Sequence, residues 1–76
     1  MMSRYIETHG RYTIAYGMDH AVGVFVQVFD SESDDPEIPV IDKDRMFDNL
    51  TVVEAGLIAR DHGAINFMRN LVGDFG

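Results

Sequence analysis

The segment of residues 21–30, AVGVFVQVFD, constrains this chain more than any other. Its β-branched and aromatic residues suit a pleated, packed surface and read as a strand. Successive side chains on a strand point to opposite faces. One face therefore carries Val22, Val24, Val26 and Val28, and the other carries Gly23, Phe25, Gln27 and Phe29. Both faces are largely apolar, the pattern of a strand covered on two sides. A chain of 76 residues has little material with which to cover both.

The neighbouring segments supply part of the cover. Residues 11–16, RYTIAY, alternate cleanly, with Tyr12, Ile14 and Tyr16 on one side and Thr13 and Ala15 on the other. Residues 17–20 supply a turn, with Gly17 and Asp19 tolerating its geometry, so the strand at 21–30 returns antiparallel as a hairpin. Residues 1–10 are mixed, pinned only by Tyr5 and Ile6, and are expected either to fray or to add an edge segment. Residues 31–37 form a polar loop closed by Pro36. Pro39 has no amide to donate, so residues 38–41 are at best a short edge strand. Residues 44–49 are expected to make a single turn that directs Met46, Phe47 and Leu50 inward.

Helical signals begin at Thr51. Thr51-x-x-Glu54 is a capping box, in which hydroxyl and carboxylate each satisfy an orphan amide. Val53, Leu57 and Ile58 follow at helical spacing and predict the buried stripe. Gly63 suits the C-terminal cap, and His62 falls in the last turn, where a cation is favoured. Residues 64–72 predict a second helix, with Ile65, Met68 and Val72 as its stripe, widened by Phe67 and Leu71. Asn66, Arg69 and Asn70 would face water. The fold class is α+β: a single domain over residues 1–76, with a small antiparallel sheet made of an N-terminal β-hairpin plus a short third strand. One or two C-terminal helices pack on one face of it.

Thirteen acidic residues against six basic ones give a net charge of −7. This argues against direct nucleic-acid binding, which uses Lys and Arg to displace counterions, and favours a partner with a basic surface. Most of the imbalance lies between residues 30 and 48, where Asp30, Glu32, Asp34, Asp35, Glu37, Asp42, Asp44 and Asp48 face only Lys43 and Arg45. No cysteine is present, so neither disulfides nor a thiolate zinc site can staple the domain. No apolar run matches a signal peptide or a membrane span, and together these features predict a cytoplasmic protein without membrane contact. Without a secretory leader, the Asn49-Leu50-Thr51 sequon carries no weight.

Catalytic and metal patterns do not assemble. Asp30, Glu32 and Asp34 share the alternate spacing of a calcium loop, but its sixth position would be Asp35 instead of Gly and its twelfth Ile41 instead of Glu. His9, His20 and His62 lack the close pairing of a metal motif. Asp19 and His20 resemble an acid–base dyad, yet adjacent turn residues usually diverge and no Ser or Cys nucleophile sits beside them. Gly17, Gly23, Gly56 and Gly63 match no phosphate loop or dinucleotide fingerprint. The reading is a non-enzyme with no cofactor and no metal.

In size, charge and the cluster between residues 30 and 48, the chain resembles the small acidic inhibitor proteins of phages and plasmids, of the anti-CRISPR and anti-restriction type. The stretch YTIAYGMDHAVG is also similar to the openings of small bacterial proteins, a likeness that implies no function. The inhibitor resemblance implies a carboxylate surface standing where nucleic-acid phosphates would lie, engaging a basic protein such as one that binds nucleic acid. Its contact residues would be Glu32, Asp34, Asp35, Glu37, Asp42 and Asp44. The two-faced strand offers the alternative, a homo-oligomeric accessory module assembled through its apolar sheet face at Val24, Phe25, Val26 and Phe29. A symmetric homodimer is the simplest closed form of it.

Overall fold

A computed structural model describes residues 3–75, with side chains for residues 3–71. Four strands, β1 (Ser3–His9), β2 (Tyr12–Asp19), β3 (Gly23–Asp30) and β4 (Ile41–Asp44), are followed by α1 (Arg45–Asp48), α2 (Val52–Asp61) and α3 (Phe67–Phe75). The strands form one antiparallel sheet in the order β1-β2-β3-β4, a meander, and the helices pack on one side of it. This is the α+β arrangement expected from the sequence, with one strand more.

The extra strand is β1. Residues 3–9 pair along their whole length with β2, from Ser3 opposite Met18 to His9 opposite Tyr12. Gly10, at φ 61°, turns the chain between them. Gly17, expected in the turn, lies inside β2, which runs on to Asp19, and it lets β1 lie this close, because a Cβ there would stand 2.2 Å from the Ser3 carbonyl oxygen. At the β2–β3 turn, Asp19 Oδ1 accepts the amides of Ala21 and Val22 at 2.7 and 3.3 Å. The third strand falls at residues 41–44 instead of 38–41, since the ladder resumes only after Pro39, starting with the Val40 amide on the Val28 carbonyl.

The helices cover the valine face of β3. Val24, Val26 and Val28 are buried together with Ile14, Tyr16, Leu50, Ala55, Ala59, Phe67 and Leu71. Val24 and Val26 therefore belong to the core and cannot serve as the contact surface expected of them. Thr51 does cap α2, with the Glu54 amide on its hydroxyl at 3.1 Å and its own amide on the Glu54 carboxylate at 3.3 Å.

Helix rotation departs from expectation. On α2 the buried residues are Ala55 and Ala59, flanked by half-buried Val52 and Ile58, while Val53 and Leu57 face outward. The small alanines let α2 lie close upon the valine row, a fit that Val53 and Leu57 would obstruct. Helix α3 starts at Phe67, and Phe67 and Leu71 face inward while Ile65 and Met68 do not; the Val72 side chain lies outside the described residues. Met46 and Phe47 are also exposed, because α1 is one short turn beyond the sheet edge, and only Leu50 of that segment is buried.

Candidate functional site: the open face of the sheet

No element covers the other side of the sheet among the described residues. Cross-strand partners share a face, so the registers set out its rows. Arg4, Gly17, Phe25 and Asp44 form one row across the four strands. Ile6, Ala15, Gln27 and Asp42 form the next, and Thr8, Thr13 and Phe29 a third. Small residues on β2 make a shallow trough between taller side chains on β1 and β3.

One end of this face is polar and acidic. A hollow of about 190 Å³ is bordered by Asp19, Asp42 and Asp44, with Phe25 and Gln27 on its floor and Arg4 as its lone cation. The Arg4 guanidinium carbon lies 5.8 Å from the centre of the Phe25 ring, a cation–π arrangement. Its Nη2 donates to Gln27 Oε1 at 3.5 Å, and Gln27 Nε2 donates to Asp42 Oδ1 at 3.4 Å. Both contacts are long, so Asp42 is only weakly engaged. Asp44 has a structural duty as well: it N-caps α1, accepting the Phe47 amide at 2.7 Å.

The acidic loop divides in the same way. Glu32, Asp34, Asp35 and Glu37 are exposed, while Asp35 also accepts the Glu37 amide at 3.3 Å. Asp30 leaves the acidic belt altogether. Arg11 grips it with two bonds of 2.8 and 2.7 Å and holds its carboxyl below the usual carboxylate value, helped by the Glu32 amide. The Glu32 carboxylate lies 3.4 Å from the same guanidinium. The pairing joins the start of β2 to the end of β3 and gives the start of the would-be calcium loop another employment.

Phe25 and Phe29 sit half-buried on the open face, the first beneath Arg4. His20 is exposed in the β2–β3 turn, and the Asp19 carboxylate is turned onto backbone amides, so the two do not form a dyad. His62 closes α2 with Nδ1 on the Ile58 carbonyl at 2.8 Å and stands edge-on to Tyr12.

Sequence reasoning missed the strongest polar cluster, which is centred on Glu7. Its carboxylate accepts from His9 Nε2 at 2.9 Å and from the amides of Ile65 and Asn66 at 3.0 and 3.2 Å. It also takes a short hydrogen bond from the Tyr16 hydroxyl, which accepts in turn from Asn70 Nδ2 at 2.9 Å. Burial pushes the Glu7 carboxyl upward, but these four donors outweigh it and leave it below its ordinary value. Burial and the Glu7 contact push the Tyr16 hydroxyl up to about 12. A carboxylate with both oxygens occupied is a poor general base, and two of its donors are the amides that open into α3. Glu7 is a remote cap for that helix. A clue was legible: Tyr5, Glu7 and His9 alternate with Arg4, Ile6 and Thr8, the period of a strand.

No family model, curated protein or solved structure matches this chain. No helix among the described residues is long and apolar enough to cross a membrane.

Proposed function

We propose that this chain is a small protein-binding protein, an inhibitor or regulator without catalysis of its own, that engages a basic partner. The contact is made through the acidic end of the open sheet face and the adjoining carboxylate loop. The observation that carries the reading is the seat on Phe25. The chain's own Arg4 rests on that ring beside Asp42 and Asp44, so the seat suits a guanidinium, and an arginine presented by another protein takes it by displacing Arg4. Glu32, Asp34, Asp35 and Glu37 extend the same charge outward from the end of β3. A row of solvated carboxylates matches the basic groove of a phosphate-binding protein, which is the chemistry of nucleic-acid mimicry.

The test is an amide-shift titration with a tetra-arginine peptide as probe. Shifts are expected at Arg4, Asp19, β3, β4 and residues 31–37, weakening as salt screens the charges. The variant Glu32→Gln/Asp34→Asn/Asp35→Asn/Glu37→Gln/Asp42→Asn should lose them. Exposed pairs at roughly 0.2–1 kcal/mol each sum to about 3 kcal/mol for five, a loss on the order of 100-fold in affinity. Binding that survives neutralisation unchanged refutes the proposal.

A further inference from the structure

Helix α2 is built inside out. It buries two alanines fully, half-buries Val52 and Ile58 beside them, and leaves two large apolar side chains to solvent: Val53 is 70% exposed and Leu57 47%. Across from them stand Ile65 and Met68, 79% and 60% exposed. The four, with Arg60 at the rim, border a groove of about 320 Å³ between α2 and the segment that leads into α3, in which the Phe67 ring lies against Gly56. A Cβ at Gly56 would stand 3.1 Å from that ring, so the glycine keeps the groove deep. Their exposed surface comes to roughly 500 Å², near the upper end of what an unpartnered monomer displays.

We propose that this helical face is the contact between two copies of the chain. One observation favours a second copy over a basic foreign partner, and two more favour a dimer over a bare monomer. The first is charge. Between residues 50 and 71 the two acids, Glu54 and Asp61, are cancelled by Arg60 and Arg69, so the net charge of −7 is contributed by residues outside this stretch. A basic partner has little to grip here, whereas two like-charged copies can meet here without opposing their acidic belts. The second is area. A patch of about 500 Å² doubled by a two-fold axis reaches about 1,000 Å² when all of it is buried, the lower limit for a specific interface. The third is need. In so small a domain α2 contributes only Ala55 and Ala59 as fully buried residues, and a second layer of packing supplies what a small single core lacks. The dimer turns both open sheet faces outward, away from the contact. It does not rest on the proposed partner binding, which uses the opposite side of the sheet.

Sedimentation of the full chain tests this. Wild-type protein is expected to sediment at twice the 8.6 kDa of one chain at about 100 μM, and to associate more tightly as salt screens the residual repulsion. Ile65→Lys/Met68→Lys should weaken the dimer at least tenfold while circular dichroism stays native, and Val53→Lys offers a second variant if the first folds poorly. Phe25→Lys, on the other face, should leave the dimer intact. A wild-type monomer at about 500 μM, far above the range of a functional dimer, overturns the proposal, as does a dimer that Phe25→Lys breaks and the helix variants do not. Tetra-arginine binding that fails while the dimer stands counts against the partner reading alone.

Discussion

Glu7→Gln is the most informative single substitution, because one side chain ties the edge strand to the start of the last helix. The carboxylate serves four donors, from His9, Tyr16, Ile65 and Asn66. Glutamine keeps one acceptor oxygen and turns its amide hydrogens toward the remaining donors, so about half of the bonds are lost. A buried hydrogen bond to a charged group contributes roughly 1.5–3 kcal/mol, and Tyr16 is fully buried. The two backbone amides are less sheltered and resemble an N-cap, worth about 1 kcal/mol. Allowing for what glutamine retains, the expected loss is about 2–3 kcal/mol, against a total of roughly 4–11 kcal/mol for a chain of this size. Urea denaturation at pH 7 measures it. The pH dependence gives a second check. The folded Glu7 carboxyl lies below its ordinary value of 4.5, so its contribution is fully present above that pH and is lost as pH falls through the lower folded value. The gap between wild type and Glu7→Gln should therefore close in acid. Tyr16→Phe removes the matching donor, and the double variant should lose at least about 1 kcal/mol less than the two singles together. A Glu7→Gln protein within about 0.5 kcal/mol of wild type, or a gap that persists in acid, refutes the capping role.

Two further outcomes separate structure from surface. Gly17→Ala places a Cβ 2.2 Å from the Ser3 carbonyl oxygen, so β1 must shift outward at a cost of about 1–3 kcal/mol, readable as faster hydrogen exchange in residues 3–9. Asp44→Ala should cost about 1 kcal/mol in urea denaturation through the lost cap of α1, whereas Asp34→Asn/Asp35→Asn should stay within about 0.5 kcal/mol. A destabilised loop variant would mean that those carboxylates support the fold.

Where local chemistry decides, the sequence is a good guide. The period-two pattern of residues 12–16 and the valine row fix β2 and β3, and Thr51 with Glu54 fixes the start of α2. What escapes is decided at a distance. Asp30 is counted with the acidic belt until Arg11, nineteen positions earlier, is seen to hold it. Glu7 makes sense only once Ile65 and Asn66 arrive beside it. The rotation of α2 is the clearest case. A stripe of Val53, Leu57 and Ile58 satisfies helical spacing, but a sheet face already filled by Val24, Val26, Val28 and Tyr16 has room beneath the helix for alanines. Side-chain volume at the contact overrides hydropathy along the helix, and an alanine carries too weak a signal to announce it.

The apolar surplus of β3 therefore reappears in a different place. Its valine row is sealed by the helices, and the open face is moderated within the sheet: Arg4 lies over Phe25, Gln27 parts the two phenylalanines, and the small residues of β2 leave only a shallow trough. The helices that seal one side bring an exposed row of their own, at Val53, Leu57, Ile65 and Met68. Burying one greasy surface with another that is only half consumed passes the problem outward by one layer. No described element lies over that row, and the charge on residues 50–71 cancels, whereas residues 30–48 carry eight acids against two bases. An apolar surface whose few charges sum to zero, on a body repelling its own kind elsewhere, directs like copies to meet at that face.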